Sequence, residues 1–136
     1  MTDFAACGLI YLGTPYSKYR PELPRDAGLR QAFIDAANLA ARLLKEGAKV
    51  YSPIAHTHPL AIHGGLDPLD LRIWLPFDEA MMAKADCLIV AKLEGWEDSF
   101  GIKHEIEVFK KAGKPVMFLD PESLTITSTG QDRSAA

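Results

Sequence analysis

The sequence predicts a three-layer α/β domain, Rossmann-like in the flavodoxin-like sense, with a mostly parallel sheet of four or five strands. Three observations carry this. Four short apolar runs, at 7–12, 48–52, 86–93 and 114–120, alternate with segments whose apolar residues recur every three or four positions. Parallel strands joined through helices require right-handed crossovers, which puts helices on both faces of the sheet. The connections at one end of this order are long and those at the other end are short, so one edge is elaborated, and in such folds ligands bind beyond the carboxyl ends of the strands.

The first run, "CGLIYL" at 7–12, reads as a buried strand stopped by Gly13 and Pro15. The loop 13–25, "GTPYSKYRPELPR", follows. A helix over 26–46 comes next, with Leu29, Phe33, Ala36, Ala37, Ala40, Leu43 and Leu44 as its apolar stripe, Asp26 at its start and Gly47 as its stop. "AKVYS" at 48–52 is the second strand. Residues 53–69, "PIAHTHPLAIHGGLDPL", read as a second long loop because of their prolines, paired glycines and histidines. A helix then begins near Asp70 and bends or restarts at Pro76, with Leu71, Trp74, Phe77, Met81 and Met82 apolar. "DCLIVAKL" is near-continuously apolar, as a strand covered on both faces is. The loop 94–100 carries an exposed Trp96, and a helix over 101–113 aligns Ile102, Ile106 and Phe109. "KPVMFLD" is the fourth strand, "LTIT" at 124–127 a short edge strand, and 128–136 a frayed end. The domain thus occupies 1–120 and a tail occupies 121–136.

A chain of 136 residues is one domain, and it buries about two thirds of its unfolded surface. Its net charge of -3, with acidic and basic residues interspersed, gives no electrostatic reason for a nucleic acid or anionic membrane partner. Cys7 and Cys87 fall in apolar runs, as buried thiols of a reducing compartment do. "MTDFAACGLIYLG" lacks a basic start, and no run approaches 18 apolar residues. A cytoplasmic location is expected.

The chemistry is sought on the long loops. No G-x-G-x-x-G and no G-x-x-x-x-G-K-[ST] occurs, which argues against NAD, FAD and P-loop hydrolysis, and no cofactor is expected. The stretch "GWEDSFGIKHEIEVF" at 95–109 leads a Ser-x-Gly directly into a helix. Free amides there attract an anion, so Ser99 and Gly101 are candidates for a phosphate, with Lys18 and Arg20 of the first loop as its charge partners. Ser99 serves equally as an ordinary helix cap. Glu105 lies a little over one turn inside that helix, where the helix dipole is expected to keep it ionised, as a nucleophile requires. Asp78, on another helix, supplies a second carboxylate, and a pair with one ionised member and one proton-bearing member is how glycosidic bonds are broken. Tyr11, near the carboxyl end of the first strand, either fixes a carboxylate or packs in the core. His56, His58 and His63, with Asp67 and Asp70, have spacing that permits a metal, yet H-E-x-x-H and a Cys partner are both missing, and no metal is assigned. Gly13, Thr14, His56, Trp96 and Asp98, on the loops of the same edge, complete the expected substrate-contacting set.

"IYLGTPY" at 10–16, "GAKVYSP" at 47–53, "DEAMMAKADCLIV" at 78–90 and "GWEDSFGIKHEIEVFKKAGKPV" at 95–116 resemble the nucleoside 2-deoxyribosyltransferase-like superfamily over roughly residues 8–119. The similarity is closest to its uncharacterised bacterial and phage branches, of the domain-of-unknown-function DUF1937 and DUF4406 type. The resemblance implies that Glu105 attacks the anomeric carbon of a deoxyribonucleoside, that Tyr11 holds this glutamate, and that Asp78 helps protonate the leaving base. It implies that Ser99 touches a 5′-phosphate, whereas an acid such as Asp98 would meet a bare 5′-hydroxyl. It also implies a homo-oligomer, a dimer or larger, and the helices at 26–46 and 70–84 are expected to form its faces. The expected partner is a small nucleoside or nucleotide. N-glycosidic cleavage or deoxyribosyl transfer is the first reading, and a non-catalytic nucleotide or nucleotide-sugar binding protein is the second.

Overall fold

The computed structural model describes residues 4–128. Five strands form one sheet in the order β2-β1-β3-β4-β5: β1 (Leu9–Gly13), β2 (Lys49–Tyr51), β3 (Cys87–Ala91), β4 (Val116–Leu119) and β5 (Ile126–Thr127). The first four are mutually parallel, and β5 closes the β4 edge antiparallel, with Leu119 opposite Ile126. Four helices flank the sheet: α1 (Arg25–Lys45), α2 (Pro53–Gly64), α3 (Leu71–Lys84) and α4 (Phe100–Lys111). The predicted α/β class and the short edge strand are both present. β1 starts later than expected, because Phe4–Cys7 forms a 3-10 turn, which places Cys7 off the strand.

Alternation along β1 and β3 divides the core in two. Ile10, Leu12, Cys87, Ile89 and Ala91 face α1 and meet Leu39, Ala40 and Leu43. Tyr11, Leu88 and Val90 face the other way and meet Met82 and Ala85 at the end of α3, and Ile102 and Phe109 of α4. Every residue of β3 is buried, as its unbroken apolar run requires of a central strand. Each large side chain withdrawn here contributes roughly 1.5–3 kcal/mol. Leu44, expected in the α1 stripe, is exposed, and Leu39 takes the core position instead.

Two segments differ from expectation. Residues 53–64 are helical rather than loop. Ser52 caps this helix by accepting from the Ala55 amide, Pro53 occupies the first turn where its missing N–H costs nothing, and Gly65 closes it at φ 71° in the left-handed region. α3 also runs unbroken through Pro76. Pro76 lies near the start and on the exposed side, so the one carbonyl that loses its helical donor can reach water. Among the described residues no helix is long and apolar enough to cross a membrane. The expectation for 128–136 falls, beyond Ser128, outside the described residues.

Candidate functional site

β1 and β3 are adjacent although α1 and β2 intervene between them in sequence, so the chain leaves their carboxyl ends in opposite directions. This is a topological switch point, where a crevice forms. Three elements converge on it: Gly13 and Thr14 at the end of β1, Ser99 to Glu105 at the start of α4, and Asp78 from the middle of α3. They enclose a cavity of about 230 Å3, whose further walls include Tyr16, Ile54, Leu69, Trp74 and Phe100.

Five buried side-chain atoms of the described residues find no hydrogen-bond partner: Tyr11 Oη, Thr14 Oγ1, Tyr51 Oη, Asp78 Oδ1 and Glu105 Oε1. All five belong to this one place. Thr14, Asp78 and Glu105 line the cavity, Tyr11 lies within the electrostatic reach of both carboxylates and of Tyr51, and Tyr51 within that of Asp78. The Tyr11 and Tyr51 rings are 5.7 Å apart, in register on neighbouring strands. Buried polar groups are nearly always paired, so five together mark a surface shaped for something polar.

Gly13 explains how Glu105 fits. A Cβ at Gly13 would lie 2.5 Å from Glu105 Oε1, so the carboxyl group rests directly on the glycine backbone. Glu105 as a residue is only half-buried, but Oε1 itself is shut off from water. That burial pushes its pKa well above the ordinary carboxylate range, and the neighbouring Asp78 adds to the shift. The helix dipole was expected to keep Glu105 ionised. It is outweighed, because no lysine, arginine or histidine among the described residues lines the cavity and no donor reaches Oε1. Burial also raises Asp78, to about 6. Tyr11 is raised by burial first and then by Glu105 and Asp78, so its hydroxyl remains a donor. Burial alone raises Asp78, whereas Glu105 is raised by burial and further by the Asp78 charge, so in the free protein Glu105 is the carboxyl group that keeps its proton to the higher pH.

At the α4 terminus, Ser99 is the helix cap: its Oγ accepts from the Ile102 amide at 3.3 Å, and its own N–H reaches the Trp96 carbonyl. The amides of Phe100 and Gly101 are the ones without an intrahelical partner. Lys18, Arg20 and Asp98 line a separate, larger depression of about 740 Å3, which shares Ser17 with the carboxylate cavity. There Arg20 is already paired with Glu22 at 2.8 Å. The smaller cavity is the better candidate site, since the unpartnered buried atoms gather there. Trp96 is not exposed as expected; it packs half-buried on Phe118, with ring centres 5.5 Å apart. His56 is exposed on α2, stacks on Phe77 at 5.6 Å and lies outside the cavity wall. No three His, Cys, Asp or Glu side chains of the described residues gather where they could hold a metal ion. Tyr16 and Tyr51 were not singled out from sequence, and Trp74 was named only as an apolar residue of its helix. Tyr16 and Tyr51 stand in the quoted motifs "IYLGTPY" and "GAKVYSP", and a tyrosine that ends an apolar strand or follows it was the available signal.

No curated protein matches the chain in sequence. The model of the family described as "Domain of unknown function (DUF1937)" matches residues 8–120. That span includes every element from β1 to β4 and every side chain that lines the carboxylate cavity, and the chain belongs to this family.

Proposed function

We propose that the Glu105–Asp78 cavity cleaves or transfers an N-glycosidic bond of a deoxyribonucleoside or its 5′-monophosphate. The observation that carries this reading is the convergence of two buried, mutually repelling carboxyl groups with three unpartnered hydroxyls. A pair that holds one proton and one negative charge supplies what the reaction consumes. Glu105, as carboxylate, attacks C1′, and the bond to the base breaks. Asp78, as acid, gives its proton to the departing nitrogen. Water then attacks C1′ of the glycosyl-enzyme, Asp78 takes a proton from it, and the pair returns to one proton and one charge. In transfer, a second base takes the place of water. For Glu105 to be the ionised member, the shared proton must sit on Asp78, and a base nitrogen accepting from Asp78 favours that arrangement. Thr14, on the cavity wall, is free to meet a sugar hydroxyl, and Tyr11 lies within electrostatic reach of Glu105, although neither hydroxyl donates to it in the free protein.

The resemblance over "IYLGTPY", "DEAMMAKADCLIV" and "GWEDSFGIKHEIEVFKKAGKPV" supports the same roles for Tyr11, Asp78 and Glu105. Phe109, bulky for a helix beside a pocket, is turned into the core against Tyr11 and takes no cavity space. A 5′-phosphate would meet the Phe100 and Gly101 amides, with Ser99 beside them and Lys18 across the shared Ser17 wall. Exposed Leu71, Ile73 and Phe77 on α3, with Ile34 and Leu44 on α1, support a homo-oligomer. The test is base release, followed by chromatography, from the common deoxyribonucleosides and their 5′-monophosphates. Turnover by the wild type and its loss in Glu105→Ala is the expected result. Tight binding without turnover by the wild type would replace this reading with the binding protein.

A further inference from the structure

Among the described residues Tyr16 is the one tyrosine that lines the carboxylate cavity, and its hydroxyl is not among the unpartnered atoms. It lies 2.6 Å from His58 Nδ1. His58 does not line that cavity. It sits on α2 with only 5% of its surface exposed, its ring stacked on Phe33 of α1 at 4.9 Å and meeting the Tyr16 ring edge-on. Burial and the nearby His63 hold His58 towards its neutral form, and in the tautomer that carries its proton on Nε2 the Nδ1 lone pair accepts from the Tyr16 hydroxyl. Phe33 and α2 fix the histidine, and the histidine fixes the tyrosine. Tyr16 stands on the long connection between β1 and α1, which has no regular structure of its own to hold the ring in place. Trp74, across the cavity, is held in the same manner, its Nε1 donating to the Asp67 carbonyl at 2.8 Å. Both aromatic side chains therefore have their polar tips anchored elsewhere, which leaves their rings as cavity walls.

We propose that His58 is a positioning residue: by holding the Tyr16 hydroxyl it sets the Tyr16 ring as a fixed wall of the Glu105–Asp78 cavity and thereby presets the cavity for a flat, ring-bearing substrate. This rests on the glycosidic reading for the identity of the substrate, but not for the anchor itself. A preset wall lowers the ordering cost of binding, so its loss appears in binding and KM more than in kcat.

The experiment has two arms. In the first, the protein is labelled with 3-fluorotyrosine, and its four tyrosines give four 19F resonances, with Tyr16 assigned through Tyr16→Phe. His58→Phe keeps the stack on Phe33 and removes the acceptor, while His58→Gln restores an acceptor. The Tyr16 resonance should shift and sharpen in His58→Phe and stay near its wild-type position in His58→Gln. An unmoved Tyr16 resonance in His58→Phe overturns the proposal. In the second arm, dissociation constants and KM are measured with the common 2′-deoxyribonucleosides. His58→Phe and Tyr16→Phe should each weaken binding roughly 5–30-fold, the double variant no further, and His58→Gln should recover most of the loss. A shifted resonance with unchanged affinity also overturns the proposal. A wild type that neither binds nor turns over any of these nucleosides removes the glycosidic reading, and the fluorine arm then decides the anchor alone.

Discussion

Replacing Asp78 by Asn should make the protein more stable, and only on the alkaline side. In the native state Asp78 titrates at about 6 against an ordinary 3.8, because burial penalises its charge. A carboxyl group with a raised native pKa binds its proton more tightly folded than unfolded. Its favourable contribution is complete below the unfolded pKa and disappears as the pH rises through the native one. Between about pH 4 and pH 6 the wild type should therefore lose stability relative to a variant that cannot ionise there. The full shift corresponds to ~3 kcal/mol. Asp78 is half-buried, and screening by solvent reduces this to about 1–2 kcal/mol. For a chain of this size that is roughly 3–8 °C in Tm. Thermal unfolding of wild type and Asp78→Asn at pH 4 and pH 7.5 measures it. The variant should match the wild type at pH 4 and exceed it at pH 7.5, while losing base release by roughly 10²–10⁴-fold for a poor leaving group. An equal Tm difference at both pH values, or none at pH 7.5, would refute the assignment of Asp78 as a charge held at a cost.

Further outcomes are expected from the same geometry. Gly13→Ala places a Cβ on Glu105 Oε1, so the carboxyl group must swing away; the backbone at Gly13 is unstrained, and a Tm within a few degrees of wild type with base release abolished is the expected pair, whereas normal turnover would remove the contact from the account. Ser99→Ala removes the α4 cap and should lower stability by ~1 kcal/mol in denaturant titration; if the phosphate site is at that terminus, it should also weaken a 5′-monophosphate more than its nucleoside, and equal affinities in wild type and variant would place the phosphate elsewhere. Sedimentation at micromolar concentration should give a species larger than the 14.9 kDa chain, and a monomer throughout would assign the exposed apolar residues of α3 another role.

The sheet was legible in the sequence because its strands are short apolar runs between Gly and Pro, and β3, apolar on both faces, is unmistakably central. α2 was not. Its prolines, histidines and paired glycines look like loop punctuation, yet Ser52 as cap, Pro53 in the first turn and Gly65 at the end are helix signals in the right order. Three prolines within 53–68, Pro59 among them inside the helix, mask these signals. Glu105, Asp78 and Ser99 could be chosen from residue type and helix position, and Tyr11 from its place near the carboxyl end of the first strand. The charge state of Glu105 could not, since it depends on which neighbours bury the carboxylate, and Gly13 and Asp78 are brought to it by the sheet crossing. His58 was visible only as one histidine among three, and its contact with Tyr16 spans 42 positions of chain. Trp96 read as exposed from its polar neighbours, while its Phe118 partner comes from the far side of α4 in sequence.

The proposed mechanism turns on a covalent bond between Glu105 and the sugar. It is tested most directly by peptide mass spectrometry after incubation with a fluorinated, slowly turned-over deoxyribonucleoside. A Glu105 nucleophile should give an added mass of one fluorinated pentosyl group on the peptide that contains Glu105, formed with stoichiometric release of base and absent from Glu105→Ala. An adduct on the Asp78 peptide instead, or undiminished base release by Glu105→Ala, would contradict it.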